Sequence, residues 1–389
     1  MRKESYYSSP VQDEVMSYLY LVRGADIEQI TRALNSIKLN HGAVNEKRVK
    51  KTYDILRKLK KYGLIDYQTY KLSERSRGRR IIFLSKAGLM ELNNKRNIQE
   101  KTRGSGFFGD FGYFKHSLYS PPMKSLRHHL MTVDVMTDAY ILSKLNKVRM
   151  SVANNLYVAE KVIKPDFGVL IKGEKHDQTY YIEIDRSTER GQALLNKFKK
   201  YNTYFQQLKR ENKPLPSTIF FVVPNGQSGK GIYAHEKQVR FRSVAKAFCD
   251  TCGSFTEEVD LCYVEMNTFL TTFISEVKNI SRGNLVKLEG ELVNTKFGKI
   301  RNSIISFNQS GKKAEVLYLS VEGCRIKPWI LMFKTLKELK EHKSMNHEIL
   351  TFFDSPKITL IYSEERPVEP FSKEFLAEKG VNTPTERKI

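Results

Sequence analysis

Apolar residues near the start of the chain recur at intervals of three and four, which is the period of an α-helix. Three such stripes follow one another: Val11, Val15, Tyr18 and Val22; Ile27, Ile30 and Leu34; Val49, Tyr53, Leu56 and Leu59. Side chains with this spacing share one face, so each stripe predicts a helix with one buried side. Asp26 and Asn45 are good N-caps for the second and third helices, and the third is expected to end near Gly63. Two strands, Tyr67–Leu72 and Arg80–Leu84, and a further helix before Lys95 follow.

The polar face of the third predicted helix is strongly basic. The cations of this face and of the turn between the two strands are Lys47, Lys50, Lys51, Lys58, Lys61, Arg75, Arg77, Arg79 and Arg80. Residues 46–80 contain thirteen Lys or Arg and four Asp or Glu. A basic helix followed by a basic-tipped hairpin is the order of a winged helix-turn-helix, whose third helix enters the major groove and whose wing contacts phosphates. The alternative is an ordinary helical hairpin with a solvated charged face.

Glycines and aromatic rings characterise residues 96–124, which are expected to form a linker. The glycines that interrupt the periodicity are Gly104, Gly106, Gly109 and Gly112. The rings are Phe107, Phe108, Phe111, Tyr113, Phe114 and Tyr119. Rings beside basic residues can stack on unpaired bases. The alternative is that they fasten the linker onto one of the domains, because exposed rings are unfavourable in water.

From Ser125 onward, predicted helices and strands alternate, which indicates an α/β domain. The expected elements are a helix over Leu126–Leu145, strands near 151–159, 166–171 and 179–185, a helix over Thr188–Leu208, a strand over Thr218–Val223, a helix over His235–Cys249 and a strand over Leu261–Val264. Beyond about residue 285 the expected elements are strands near 303–307, 315–320 and 358–362 and a basic helix around Leu336–Lys343.

Three carboxylates stand at the ends of two of these predicted strands. Asp166 opens one strand, and Glu183 and Asp185 close the next. Strand side chains alternate, so Glu183 and Asp185 share a face, and Asp166 joins them if the two strands pair as a hairpin. Three such acids repel one another unless a cation or protons neutralise them, and their oxygens suit Mg²⁺ or Mn²⁺. The alternative is that they cap loops or pair with Lys and Arg.

The helices around these acids add further candidates. Glu189 lies in the first turn of the next helix, and Lys197 flanks its apolar stripe, where an ammonium group could orient water or neutralise charge in a transition state. A metal ion at the acids could polarise a scissile phosphate, which is what phosphodiester hydrolysis needs. His128 and His129 lie on the preceding helix, and they face either this site or the core.

The spacing of these motifs resembles that of the plasmid replication-relaxation family. The resemblance covers roughly residues 10–225 and is carried by Pro165-Asp166, a spacer of sixteen residues, Glu183-Ile184-Asp185, a following Thr-Glu and a helix with Lys and Tyr. The run from Arg127 to Leu130 and Asp134 resemble the opening block of the family. This resemblance implies a winged helix before a core of the PD-(D/E)xK restriction-endonuclease type, similar to endonuclease-like mobilisation relaxases that nick a transfer origin.

One position departs from the nuclease pattern. Asp185 stands where PD-(D/E)xK enzymes have lysine. Lys197 could replace that lysine from the helix, three carboxylates could act without a lysine, or the core could have lost cleavage and retained only binding. The expected fold is a multidomain α/β protein: a winged helix at 1–95, a Gly/aromatic linker at 96–124, an endonuclease-like α/β domain at 125–284 and a C-terminal α+β extension at 285–389.

Charge and composition narrow the class of partner. The chain has 66 Lys and Arg against 43 Asp and Glu, a net charge of +23, and a charge of this sign and size favours nucleic acid. No apolar run approaches the length of a membrane span, and the first residues lack the apolar core of a signal peptide. Four cysteines in 389 residues argue against a disulfide scaffold. A cytoplasmic protein without a membrane partner is expected.

The sequence therefore predicts a sequence-specific double-stranded-DNA-binding protein. Its core is expected to nick DNA in plasmid or mobile-element transfer or replication, with Mg²⁺ or Mn²⁺ at Asp166, Glu183 and Asp185 and with Lys197 as a catalytic cation. Single-stranded DNA at a nicked origin and a homodimer are further partner expectations. The alternative function is a non-enzymatic regulator of replication or transcription with an inactive core.

Overall fold

The computed structural model describes residues 9–37, 44–71, 78–99, 113, 115–145, 150–154, 162–172, 177–186, 191–225, 232–281, 304–308, 313–319, 324–326, 357–362 and 385–388. The chain is a mixed α/β protein, as the alternating pattern predicted, and it divides into two compact units, Met1–Ile184 and Asp185–Ile389. None of the described helices combines the length and the apolarity needed to cross a membrane.

The described elements of the first unit follow the predicted order, with one added strand. They are α1 Pro10–Val22, β1 Ala25–Asp26, α2 Ile27–Asn35, α3 Glu46–Lys61, β2 Ile65–Tyr70, β3 Arg79–Leu84, α4 Lys86–Lys95, two 3-10 turns at His116–Tyr119 and Met123–Ser125, α5 Leu126–Leu145, β4 Met150–Asn154, β5 Phe167–Ile171 and β6 Gln178–Ile184. The strands β1, β3 and β2 form an antiparallel sheet in that order. Two residues were too short a signal for β1 to be predicted.

The helix ends of the first unit are set by the caps that the sequence predicted. The side chain of Asp26 accepts from the backbone N–H of Gln29, and the side chain of Gln29 accepts from the backbone N–H of Asp26. The Asn45 side chain caps α3 by accepting from the N–H of Lys47. Gly63 follows α3 with a φ of +72°, a left-handed conformation that glycine adopts without strain. These caps fix where α2 and α3 begin.

The buried side of α3 differs from the predicted stripe. Its inward residues are Thr52, Leu56 and Leu59, whereas Tyr53 is 48% exposed, so the expectation that Tyr53 is buried was wrong. The cause is a buried hydroxyl pair, in which Thr31 of α2 donates to the hydroxyl oxygen of Thr52 over 3.0 Å. This contact turns Thr52 toward α2, and the neighbouring tyrosine consequently faces solvent.

Helix α5 packs against the N-terminal helices and the hairpin. The guanidinium group of Arg32 on α2 bonds Asp134 over 2.8 Å and Asp138 over 2.6 Å. Tyr18 of α1 shares a buried hydrogen bond of 2.6 Å with Thr137. An apolar cluster joins β2 and β3 to the start of the same helix; its members are Tyr70, Ile81, Leu126, Leu130 and the partly buried Met123. The N-terminal helices and α5 therefore share a core within the first unit.

The aromatic residues of the predicted linker are described at two positions. The ring of Tyr119 is 1% exposed, and its centroid lies 4.9 Å from that of Tyr20 on α1. This ring fastens its segment to the N-terminal helices, which is the second of the two interpretations. Tyr113 is partly exposed, and Phe107, Phe108, Phe111 and Phe114 lie outside the described residues. The predicted boundaries at 95, 124 and 284 stay predictions.

The remaining strands of the first unit form an antiparallel ladder. β4 pairs with β5, with Val152 opposite Val169, and β5 pairs with β6, with Phe167 opposite Ile182. The hairpin that the sequence analysis required for Asp166 to approach β6 is therefore confirmed. Both strands are apolar and mostly buried, and this burial places Asp166 and Glu183 at the edge of a core.

The second unit contains α6 Gln192–Arg210, β7 Thr218–Val223, α7 Ile232–Cys252, β8 Asp260–Glu265, α8 Met266–Ser281, β9 Ile304–Asn308, β10 Lys313–Leu319, β11 Cys324–Arg325, β12 Lys357–Tyr362 and β13 Thr385–Lys388. β7 runs parallel to β8, and β11 pairs with β8 in antiparallel fashion. The last strands form a separate sheet in the order β13-β12-β10-β9. The predicted helix at Leu336–Lys343 lies outside the described residues.

Strand β7 contacts helices on both of its faces, because successive side chains of a strand point to opposite sides and all of them are apolar or buried here. The ring of Phe221 lies 5.5 Å from that of Phe198 on α6, whereas the ring of Phe220 lies 5.6 Å from that of Phe269 on α8. The predicted buried stripe of α6 is confirmed: Leu194, Phe198, Tyr201, Phe205 and Leu208 are all buried, and Tyr204 joins them. Helices on two faces of a parallel strand pair are the arrangement expected of an α/β unit.

Candidate functional site

The basic face of α3 is exposed throughout. The predicted DNA-binding residues Lys47, Lys50, Lys51, Lys58, Lys61, Arg79 and Arg80 all lie at the surface. Arg75 and Arg77 lie outside the described residues. Two acids lie on the exposed part of α3: Glu46 in its first turn, and Asp54, which is 3.4 Å from the 80% exposed Arg57. The outward side of α3 is thus a surface of cations, since the helix buries its opposite side against α2.

Three cations and one aromatic ring extend this surface beyond the predicted set. Arg48, Arg57 and Lys60 are also exposed on α3, and Tyr53 adds an aromatic ring to the same face. Tyr53 was predicted to lie in the buried stripe and was therefore not expected on this surface. The outward orientation of Tyr53 depends on the buried contact between Thr31 and Thr52, which the apolar periodicity of the sequence does not reveal.

The hairpin and the end of α3 meet around one aromatic ring. The ammonium nitrogen of Lys60 lies 5.3 Å from the ring centroid of Tyr67 on β2, and the guanidinium carbon of Arg80 on β3 lies 4.7 Å from it. Lys60 also bonds Asp66 over 2.7 Å. Arg79 is 3.9 Å from Asp26. Two cations from different elements therefore converge at the base of the hairpin.

The carboxylate of Asp166 contacts both the end of β6 and α5. Its Oδ2 accepts from the backbone N–H of Ile184 over 2.7 Å, and the Nε2 of His128 lies 3.3 Å from the same oxygen. That Nε2 is also 3.1 Å from the carbonyl oxygen of Ile184. Because both neighbours of this nitrogen are acceptors, it must carry a proton to satisfy them. His128 therefore faces the candidate acid, as one of the two interpretations expected.

The neighbouring histidine faces the opposite way. His129 is buried, and its Nε2 lies 3.0 Å from the carbonyl oxygen of Gly24. Burial lowers the pKa of His129 from 6.5 to about 4, because the charged imidazolium would lose its hydration. The side chain is thus a neutral donor that ties α5 to the residue between α1 and β1.

The other two candidate acids are buried. Glu183 is 3% exposed within β6, and Asp185 is 6% exposed just after it. Asp185 belongs to the second unit, where both of its carboxylate oxygens accept hydrogen bonds from Arg240 of α7, over 2.7 Å from Nε and 2.8 Å from Nη2. The Arg240 side chain is 10% exposed. Bidentate pairing of this kind neutralises a buried carboxylate and fixes its orientation.

The predicted catalytic lysine reaches the β7 strand. The ammonium nitrogen of Lys197 lies 5.6 Å from the ring centroid of Phe221. The side chain was predicted to project toward the strands that carry the acids, and its catalytic role stays a prediction. Glu189 lies outside the described residues.

The described side chains do not form a three-ligand metal site. Across the described parts of the chain, no group of three or more His, Cys, Asp or Glu side chains is placed to hold a metal ion. In addition, Arg240 engages both oxygens of Asp185, which leaves this carboxylate a poor ligand for Mg²⁺ or Mn²⁺. The metal assignment of Asp166, Glu183 and Asp185 stays a prediction.

Arg240, the partner of Asp185, was not among the residues predicted for the acidic site. No motif marks it, because it lies 55 residues after its partner on a separate helix. The only signal was general: a buried acid in a chain with excess cations often finds a basic partner. The spacing of residues along the chain does not show which of the many Lys and Arg side chains is this partner.

The fold class is mixed α/β, and the family assignment agrees with the motifs. The profile of the replication-relaxation family matches residues 19–216, just over half of the chain, and the chain therefore belongs to this family. Membership indicates a DNA-related role in replication. No curated protein matches the sequence.

Among solved structures, the chain is similar to the restriction endonuclease FokI. For one FokI structure the identity is 10% and the TM-score 0.23, with 71% of this chain and 45% of that chain covered. For FokI bound to DNA the identity is 9% and the TM-score 0.25, with 70% and 45% covered. The chain thus spans less than half the length of FokI.

Proposed function

We propose that this protein binds double-stranded DNA during plasmid or mobile-element replication or transfer, through an N-terminal winged helix. Helix α3 would lie in the major groove, and the β2–β3 hairpin would act as the wing. The observation that carries the proposal is the outward face of α3, whose cations are all exposed while its opposite face packs on α2. Phosphate contacts from such a face release counterions and provide affinity.

The proposed DNA contacts are tested by removing four cations together. The variant is Lys50→Ala, Lys51→Ala, Arg77→Ala and Arg79→Ala. Each lost phosphate contact should lower the magnitude of the salt slope by about one unit, so the variant should bind duplex DNA far more weakly and with a flatter salt dependence. The measurement is fluorescence anisotropy with a duplex at several salt concentrations.

A matched control keeps the charge change and moves it to the second unit. Lys209, Arg210, Lys213 and Lys246 are all exposed there. Their replacement by alanine removes the same four charges and should leave the salt slope close to that of the wild type. If the two quadruple variants bind alike, the affinity reflects net charge alone and the winged-helix assignment fails.

A second activity, nicking by the core, is proposed on the position of two acids. Asp166 is held at the end of β6 by the N–H of Ile184, and the carboxylate of Glu183 is buried in the same strand. These acids would hold Mg²⁺ or Mn²⁺, and the ion would supply the Lewis acid that phosphodiester hydrolysis uses. Asp185 does not fit as a third ligand while Arg240 engages it, and Lys197 would be the accessory cation.

The nicking proposal is tested on supercoiled plasmid with Mn²⁺ and with Mg²⁺. Asp166→Asn and Glu183→Gln should abolish nicking and leave duplex binding intact, whereas the exposed Asp177→Asn serves as control and should nick normally. Wild-type protein that binds but never nicks would favour the non-enzymatic regulator. Normal nicking by both active-site variants would exclude these acids from catalysis.

Two further partner expectations belong to this proposal. Single-stranded DNA from a nicked origin should compete with the duplex if the protein retains the opened strand. Light scattering at several protein concentrations measures whether a homodimer forms.

A further inference from the structure

The ring of Tyr67 links two cations that come from different elements. Lys60 belongs to the last turn of α3, and Arg80 belongs to β3. Their charged groups lie 5.3 Å and 4.7 Å from the same ring centroid. Tyr67 is 48% exposed, so this group of side chains is accessible from solvent.

The strand register explains why Arg80 reaches this ring. Tyr67 lies opposite Ile82, and Thr69 lies opposite Arg80, so Arg80 is a diagonal neighbour of Tyr67 on the same face of the sheet. Diagonal neighbours lie within reach of aromatic and long side chains. Lys60 is held from the other side by its bond of 2.7 Å to Asp66.

A cation above a ring keeps its hydrogen-bond donors available. The contact uses the charge of the group and the face of the ring, so the N–H groups of an arginine can still bind phosphate oxygens. A lysine ammonium group has three donors, and Lys60 gives one to Asp66. Ordering two flexible side chains in advance removes an entropic cost that would otherwise oppose binding.

We infer that Tyr67, Lys60 and Arg80 form a clamp for the phosphates of duplex DNA at the base of the hairpin. Tyr67 is the positioning residue, and the two cations make the contacts. Asp66 holds Lys60 over the ring. The inference rests on the proposed DNA binding and adds a specific set of contacts that neither the other α3 lysines nor the tip of the hairpin provides.

A double-mutant cycle tests the clamp. Tyr67→Leu should weaken duplex binding about five- to tenfold in the wild-type background, because both cations lose their ordering. In the Lys60→Ala, Arg80→Ala background the same substitution should have no further effect. The pair Lys60→Ala, Arg80→Ala should lower the magnitude of the salt slope by about two units. Tyr67→Phe, which keeps the ring, should bind as the wild type does.

Lys209 provides a matched control for these contacts. Its ammonium group lies 5.3 Å from the ring of Phe255 and pairs with Glu258, so it repeats the chemistry of Lys60 in the second unit. Lys209→Ala should leave affinity and salt slope unchanged. Thermal melting establishes that each variant is folded.

The outcomes separate the two proposals. If the wild type binds duplex DNA and Tyr67→Leu is equally harmful in both backgrounds, or harmless in both, the clamp is overturned and the proposed function stands. If the wild type does not bind duplex DNA, both are overturned. Should Tyr67→Leu fail to fold, the paired variant decides, since an unchanged salt slope after loss of Lys60 and Arg80 contradicts the clamp.

Discussion

The surface of α3 and the end of strand β6 are both rich in charge, but they hold it in opposite ways. On α3, the lysines and arginines face water, and the ion pairs of Arg57 with Asp54 and of Lys60 with Asp66 are exposed. After β6, Asp185 is buried, and its two carboxylate oxygens accept from Nε and Nη2 of Arg240, whose side chain is 10% exposed. Exposed charge costs little and is available to a partner, whereas buried charge is tolerated only when it is paired.

Because of this difference, the surface of α3 indicates a function more strongly than the buried acid after β6 does. A surface of like cations has no structural reason to exist and is unfavourable through repulsion, so it indicates a polyanionic partner. A buried acid that is already paired, such as Asp185 with Arg240, can be present for stability alone. The DNA-binding proposal therefore has stronger support than the nicking proposal, which now depends on Asp166 and Glu183.

The largest effect is expected from breaking the buried pair. Arg240→Met should lower the free energy of unfolding by about 3–5 kcal/mol, because it leaves the carboxylate of Asp185 buried without its partner. Urea unfolding followed by circular dichroism measures the loss. In the double variant Asp185→Leu, Arg240→Met, most of the stability should return, since an apolar pair replaces an ionic one.

The stability of Arg240→Met shows whether Asp185 forms a structural ion pair or is still a candidate metal ligand. A variant as stable as the wild type would mean that the carboxylate has another means of compensation, such as a bound cation, and would return Asp185 to the candidate metal ligands. A large loss that the double variant restores would identify the pair as structural.

The next effect concerns a buried histidine and its pH dependence. The native pKa of His129 is about 4, against 6.5 when exposed, so the unfolded state binds a proton first as the pH falls. Stability should decrease between pH 6.5 and pH 4, by at most about 3 kcal/mol. His129→Gln can still donate to Gly24 and should remove this decrease.

The His129→Gln variant is needed as a reference, because Asp134 changes the stability in the opposite direction as the pH falls. Burial raises its pKa from 3.8 to about 6, so protonation of Asp134 favours the native state over the same pH range. The difference between the wild-type and His129→Gln unfolding curves isolates the histidine. Parallel curves from pH 7 to pH 4.5 would show that the pKa of His129 does not differ between the native and the unfolded chain.

The smallest effect on stability is expected on the outer face of α3. Lys51→Ala should change the unfolding free energy by less than about 0.5 kcal/mol, because the side chain is exposed. Its neighbour Thr52 is 1% exposed and bonds both Thr31 and the carbonyl of Arg48, so Thr52→Val should cost about 1–2 kcal/mol. Equal losses in thermal or urea unfolding would contradict the orientation of α3.

Much of the fold was predictable because it depends on local signals. The bounds of α5 match the prediction from its apolar spacing, and the caps Asp26 and Asn45 lie where their side-chain chemistry placed them. Strand β7 was identified by a run of apolar residues. Each of these features depends on residues within one or two turns of one another, and a sequence contains that information directly.

The candidate sites were predictable to different degrees. The exposed cations of α3 follow from the position of its buried face, so the sequence located most of them. The two-residue strand β1 was missed, and Tyr53 was placed on the wrong side, because Thr52 rather than an apolar residue contacts α2. Tyr67 was not singled out, since its role depends on Lys60 and Arg80 arriving from α3 and β3.

The amino-acid sequence by itself determined most of the described helices and strands, the basic helix face, the spacing of the acids and the family. Only the tertiary structure decided which buried charges are paired. It placed Arg240 on Asp185, Arg32 between Asp134 and Asp138, and His128 beside Asp166. The physical reason is that helix and strand periodicity arises from neighbours along the chain, whereas a buried charge selects its partner by distance and geometry among residues far apart in sequence.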